Sequence, residues 1–423
     1  MADDDEARRA VEAVFRIERP RLVAGLARMV RSVDLAEELA QDALLTALSE
    51  WPRSGVPDKP GAWLMAAAKR RGIDGIRRDR MRDRKHEEIA RELEDERDTS
   101  VEDLEAALDD DLGDELLGLI FTACHPLVSE DARAALTLRL VGGLTTAEIG
   151  RAFLTGEATI AQRIVRAKKT IADAGLAFEV PRGPERAGRL ASVLQVIYLI
   201  FNEGYAATAG EQLVKPSLCA EAQRLGRILA GLMPDEPEVL GLLALMEIQA
   251  SRLTTRARPD GSFVPLTEQD RARWDQLLIR RGLGALARAE ALGGADGPYA
   301  LQAAIAACHA RARRAGDTDW PGIASLYDRL GDAMRSPVVE LNRAVAHSMA
   351  FGPDAGLEIV EAIGPDALRG YAPLPAARGD FLFRAGRASE AKAEFEAAAA
   401  LTRNERERQF LLDRAEACIT SRP

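Results

Sequence analysis

Between residues 69 and 85 the cations Lys69, Arg70, Arg71, Arg77, Arg78, Arg80, Arg82, Arg84 and Lys85 stand against only Asp74, Asp79 and Asp83. Guanidinium and ammonium groups at that density suit a phosphate backbone. Pro60 and Gly61 mark a helix start, and Trp63, Leu64, Met65, Ala67 and Ala68 precede the cations. Ile73 and Ile76 continue the apolar seam, so residues 59–85 read as one amphipathic helix. The whole chain carries a net charge of −10. The basic helix is therefore a local footprint for a polyanion, best matched by DNA, whereas a merely solvated face would have its acids interspersed in number.

A second basic surface follows further along. Thr145 or Thr146 is placed to cap a short helix carrying Ala147, Ile149 and Phe153. After a turn through Leu154, Thr155 and Gly156, another helix starts at Glu157. Its spacing turns Ile160, Ile164 and Ala167 inward and projects Thr159, Gln162, Arg163, Arg166, Lys168 and Lys169 outward. A recognition helix needs that division, an apolar face for the scaffold and long polar side chains for the major groove. Any pair of helices joined by a small turn residue has the same outline; the basic outward face sets this one apart.

Helices must hold both surfaces, and the composition, rich in Ala, Leu, Arg and Glu over 423 residues, predicts an all-α chain. Residues 1–86 form a first domain, in which Val11, Val14, Phe15 and Ile17 recur at helical spacing and 22–30 is a second apolar helix. Asp34 then reads as an N-cap with Glu37 three residues on. Its helix buries Leu35, Leu39, Ala43 and Leu44 or Leu48, and Trp51-Pro52 ends it. Residues 87–115 are dense in acid against Arg91 and Arg97, which predicts a flexible or marginally helical linker, or a mimic of nucleic acid folded on the basic helix.

Residues 116–178 make four short helices including the helix-turn-helix, and 179–185, around VPRGP, a hinge. From 186 to 423 the chain is a succession of helices, opened by the apolar stretch GRLASVLQVIYLIFNEGYAAT. Further helices are expected over 237–253, 274–292, 299–314, 322–330, 338–351 and 374–401. In the last of these Gly386 turns the chain, Ala391 and Ala398 are small packing positions, and Phe381 and Phe395 are knobs. That is the tetratricopeptide plan, whose usual work is binding a peptide or protein.

No run of twenty apolar residues predicts a membrane span, and the N-terminus MADDDEARRA lacks the apolar core of a signal peptide, so a cytoplasmic protein is expected. Of the scattered Cys124, Cys219, Cys308 and Cys418, three lie in apolar helical contexts and read as buried thiols, and neighbours such as Cys124–His125 or Cys308–His309 diverge too far on a helix to start a tetrahedral site. No metal or cofactor is expected. His309, His347, Glu203 and Asp380 fall in no nucleophile, metal or phosphate-loop motif, which argues against catalysis.

The first 178 residues resemble sigma factors of the bacterial sigma-70 family, extracytoplasmic-function (ECF) type. DLAEELAQDALLTAL resembles the polymerase-binding region 2.2, AWLMAAAKRRGIDGIRRDR the −10-reading regions 2.3–2.4, and LTTAEIGRAFLTGEATIAQRIVRAKKTI the −35-reading region 4.2. The whole chain, including IYLIFNEGY, resembles the subgroup with a long tetratricopeptide-like C-terminal extension thought to control activity. The resemblance implies two small helical domains, σ2 and σ4, and the partners core RNA polymerase and promoter DNA. It places Glu37, Glu38, Gln41 and Asp42 on the polymerase. Lys69, Arg70, Arg71, Asp74, Arg77 and Arg78 fall on the −10 element, and Glu157, Thr159, Gln162, Arg163, Arg166, Lys168 and Lys169 on the −35 element. The loop 51–58 corresponds to the pocket for a flipped non-template base. A regulatory protein on the extension is a further candidate partner. The run Lys69-Arg70-Arg71 lacks the Asn common in relatives, and Ala158 and Ala161 replace Gly and a polar residue, so promoter preference does not carry over.

A one-component regulator, helix-turn-helix plus sensor, is the rival reading. It accounts for residues 116–423 and leaves the two earlier helices without a role.

Overall fold

In the computed structural model the described residues are 2–79, 114–153, 155–205, 215–258, 262, 264–364, 367–402 and 404–420, and their regular structure is helical. The chain divides into two compact units, residues 1–196 and 197–423.

The first unit begins with α1 (Ala2–Val30), α2 (Val33–Ser54) and α3 (Pro60–Asp79), each packed on the other two. Where the sequence suggests two helices before residue 30, α1 is continuous through Pro20. Proline removes one backbone bond there, and burial of Phe15 before it and of Leu22, Val23 and Leu26 after it holds the helix together. Ile17, expected on the apolar face, is 73% exposed. The cap of α2 is Ser32 rather than Asp34: extended Ser32 accepts from the Leu35 N–H at 3.3 Å. Asp34 falls instead in the first turn, where a carboxylate complements the helix dipole. Alanines line much of the buried seam of α2, with Val33, Leu39 and Trp51, while Leu35, Leu44 and Leu48 are only half-buried. Pro52 does not stop the helix, which ends at Ser54 where Gly55 takes a left-handed φ of 83°. Trp63 of α3 is half-buried and meets Trp51 edge-on, centroids 5.2 Å apart. The cations beyond Asp79 and nearly all of the acidic segment lie outside the described residues.

Four helices follow: α4 (114–123), α5 (Glu130–Leu140), α6 (Thr146–Ala152) and α7 (Glu157–Asp173). α7 packs on α5 and α6. The start of α6 is a reciprocal capping box: Thr145 Oγ1 accepts from the Glu148 N–H at 3.1 Å, and Glu148 Oε2 accepts from the Thr145 N–H at 2.7 Å. Gly150 is needed at the turn, because a Cβ there would lie 2.8 Å from the Thr155 carbonyl. Leu154 lies outside the described residues.

α8 (Glu185–Tyr205) belongs to the first unit up to Val196 and to the second from Ile197. Its first half is fastened to α4: Arg189 Nη2 donates to the Phe121 carbonyl at 2.9 Å and Ser192 Oγ to the Cys124 carbonyl at 2.6 Å.

The second unit continues through α9 (Pro216–Leu232), α10 (Pro237–Ala250), α11 (Gln276–Ala291), α12 (Pro298–Arg311) and α13 (Trp320–Ala333). It ends with α14 (Pro337–Phe351), α15 (Pro353–Ala362), α16 (Pro373–Arg384), α17 (Ala388–Leu401) and α18 (Glu405–Thr420). Contacts are local: most helices lie on their neighbours in sequence, while α12 lies chiefly on α10. Phe381, Phe395, Ala391 and Ala398 are buried together, and Gly386 turns the chain at φ 78°. α9, α15 and α18 are not among the helices expected from the sequence. Pro216 and Pro353 look like breakers, yet both sit in the first helical turn, where a missing N–H costs nothing.

Candidate nucleic-acid interface

On α7, Ile160, Ile164, Ala167 and Ile171 are buried as the pattern requires, and Glu157, Thr159, Gln162, Arg166 and Lys169 are exposed. Ala158 and Val165, 64% exposed, share that outer surface. An apolar side chain reads as scaffold in the sequence, so nothing there marks Val165 as part of the outer surface. Glu157 Oε1 accepts from the Thr146 hydroxyl at 3.0 Å, tying the start of α7 to α6.

Two of the expected outward cations are engaged inside the protein. Arg163 is half-buried and pairs with Asp131 at 2.8 Å. Lys168 is not free in solvent: its side chain is 13% exposed, and Nζ lies 2.7 Å from Asp34 Oδ1 and 2.6 Å from Glu37 Oε2. Burial opposes the Lys168 charge, but Glu37 and Asp34 outweigh it and raise its pKa.

Glu37, expected exposed with Glu38, Gln41 and Asp42, is also 13% exposed. It receives Lys168, Arg19 and, at 3.4 Å, Arg139, and Arg19 donates in addition to the Arg139 carbonyl at 2.9 Å. Burial lowers the pKa of Arg19 against the opposing pull of Glu37. Cations from α1, α5 and α7 thus converge on one carboxylate of α2. No spacing in the sequence signals this, since Lys168 and Asp34 are 134 residues apart. Glu38 and Gln41 are exposed and Asp42 half-buried.

On α3, Lys69 is half-buried and Arg70 exposed. Arg71, Asp74, Arg77 and Arg78 lie on the same helix, and their side chains are outside the described residues. Glu203 pairs with Lys215 at 2.6 Å, His347 with Asp328 at 2.9 Å, and Asp380 with Arg414 at 2.8 Å.

A basic helix followed by a capped helix-turn-helix defines a bipartite DNA-binding protein of transcription. Residues 14–82 match sigma-70 region 2, residues 119–171 match sigma-70 region 4, and residues 189–290 match a family of unknown function, DUF6596. An uncharacterized protein of Rhizobium meliloti (strain 1021) is 43% identical over 394 residues, covering 93% of this chain and 92% of that protein. No solved structure matches. The chain belongs to the sigma-70 family: it is an ECF-like sigma factor with a C-terminal extension. Among the described residues no helix is long and apolar enough to cross a membrane.

Proposed function

We propose that this protein binds core RNA polymerase and directs promoter-specific initiation, under the control of its C-terminal extension. The reading is carried by the order of the parts, a basic α3 before a helix-turn-helix whose second helix exposes Gln162, Arg166 and Lys169. Glu38, Gln41 and Asp42, with Glu37, meet the polymerase. Lys69, Arg70, Arg71, Asp74, Arg77 and Arg78 lie along the −10 element, with the cations on phosphates. Glu157, Thr159, Gln162, Arg163, Arg166 and Lys169 enter the −35 groove, Arg166 being best placed for a guanine. Lys168 reaches DNA, and Glu37 reaches polymerase, only by giving up each other.

The proposed division is σ2 over 1–86, an acidic linker over 87–115, σ4 over 116–178, a connection over 179–185 and a tetratricopeptide-like regulatory domain over 186–423. A linker raises the effective concentration of the second module only when both sites can engage together, which is where an extension exerts control. The test is transcription in vitro with core polymerase over a randomised promoter library, comparing the full chain with one ending at Val196. Enriched promoters with two spaced blocks support the sigma reading, and a difference between the two chains gives the sign of control. No polymerase-dependent initiation from either chain rejects the reading in favour of a one-component regulator.

A further inference from the structure

In the second unit Arg271 is buried and Arg252 and Arg256 are half-buried, with no acid among the described residues to neutralise them. Arg252 and Arg256 flank the short turn Leu253–Thr255 that follows α10. Both lie against Tyr205 at the end of α8: the guanidinium carbon of Arg256 is 4.0 Å from the ring centroid and that of Arg252 5.4 Å. Arg271, 7% exposed, lies 5.3 Å from the Trp274 ring centroid. It has a structural task, donating to the carbonyls of His309 at 2.9 Å and Ala312 at 3.1 Å and to the Thr318 hydroxyl at 2.8 Å. Among the described residues Arg252 and Arg256 make no such bonds to backbone carbonyls, and no carboxylate forms an ion pair with Arg252, Arg256 or Arg271.

Unsatisfied polar atoms gather around the same residues. The Tyr205 hydroxyl, Arg256 Nε, Arg271 Nε, Trp274 Nε1 and His309 Nδ1 are buried without a hydrogen-bond partner. Tyr205 itself is only 7% exposed. Burial, reinforced by Arg252 and then Arg271, pushes the His309 imidazole down to about 3, so these cations sit close enough to feel one another. Burial likewise lowers Arg252, with Tyr205 opposing the shift and the Arg256 charge reinforcing it.

Buried charge in a folded protein comes paired, and an unpaired guanidinium beside another is held at a cost in stability. Among the described residues none supplies that partner. Guanidinium forks match the oxygens of carboxylate and phosphate groups bidentately. We propose that the C-terminal unit holds a binding site for a small oxyanion, a carboxylate or phosphate group, received by Arg252 and Arg256 on the face of Tyr205. All three residues fall inside the segment, 189–290, that matches the family of unknown function. The site does not depend on the sigma-factor reading, and it makes the extension a ligand-responsive part.

The test uses the full chain, with thermal unfolding and titration calorimetry in inorganic phosphate or in succinate against chloride at equal ionic strength. Saturable binding and a raised melting temperature with either anion are expected, and which anion acts distinguishes the two chemistries. R256M should weaken binding at least tenfold. R256K, which keeps the charge and loses the fork, should also weaken it and serves if R256M does not fold. R258M, at a surface arginine, should bind as the wild type does. No stabilisation by either anion over chloride overturns the proposal, as does unchanged binding in R252M and R256M.

Discussion

Two clusters of cations, one in each unit, are treated in opposite ways. In the first, Arg19, Arg139 and Lys168 share Glu37, with Asp34 as a further acid for Lys168. In the second, Arg252 and Arg256 are stacked on Tyr205 and meet no acid among the described residues. A cation matched inside the chain fixes the packing of helices; a cation left unmatched keeps its binding capacity for something else. The same distinction runs along α7. Lys168 is spent on α2, whereas Arg166 and Lys169 are exposed and form no ion pair with a described residue.

The largest effect should come from making the first unit resemble the second. E37Q removes the acid common to three cations, and breaking a buried pair from one side costs about 3 kcal/mol or more. Urea unfolding of the full chain should show the first unit's transition moved down by that amount. A shift under about 0.5 kcal/mol, the scale of a surface pair, would mean that the convergence on Glu37 contributes nothing to folding.

The second unit offers the next largest effect, through pH. The His309 imidazole is pushed down to about 3 by burial and the nearby arginines, while an unfolded histidine titrates near about 6.5. The unfolded chain therefore takes up the proton first. Stability contributed by the neutral ring is complete above pH about 6.5 and is lost as pH falls towards 3. From pH 8 to 5 the wild type should lose about 2 kcal/mol more than H309Q. Equal slopes would place His309 in solvent. Bound phosphate or succinate should shrink the difference, because an anion beside Arg252 relieves the repulsion on the ring.

How much of this was legible in the sequence depends on the range of the interaction. The inner and outer faces of α7 and the Thr145 cap were readable because helical period and capping act over a few residues. Glu37 and Lys168 were misread as exposed, since each is buried by a partner more than a hundred residues away and a charged residue carries no local mark of that. Asp34 fits the same capping pattern as Ser32, and only backbone geometry separates them. Arg252 was assigned to the end of a long helix; the chain leaves the helix at Ala250 and turns both arginines onto Tyr205. Trp51-Pro52 reads as the end of α2, yet the helix runs on to Ser54, since one lost donor does not outweigh the burial of Trp51 beside it.

On α7 the unmatched cations give a smaller effect than either buried cluster. R166A should weaken binding to the selected promoter by about 1–3 kcal/mol and relax base preference at one −35 position. K169A should weaken all sequences alike and reduce the salt slope by about one. If both variants act alike on matched and scrambled DNA, the outer face of α7 holds phosphates only and does not read bases.

The smallest effect is expected at Glu38, the exposed neighbour of Glu37. The proposed function sets both acids against polymerase, but only Glu38 stands in solvent. A solvated charge steers encounter more than it holds a complex. E38Q should slow association with core polymerase a few-fold at low salt, leave dissociation and the unfolding curve unchanged, and lose its effect near 1 M salt, where screening acts over about 3 Å. E37Q should differ in kind: it weakens the closed arrangement of α2 and α7, so polymerase binding either gains from the freed face or falls with stability. If E38Q and E37Q gave the same salt-dependent slowing with no loss of stability, the contrast between a matched and an unmatched charge on α2 would collapse.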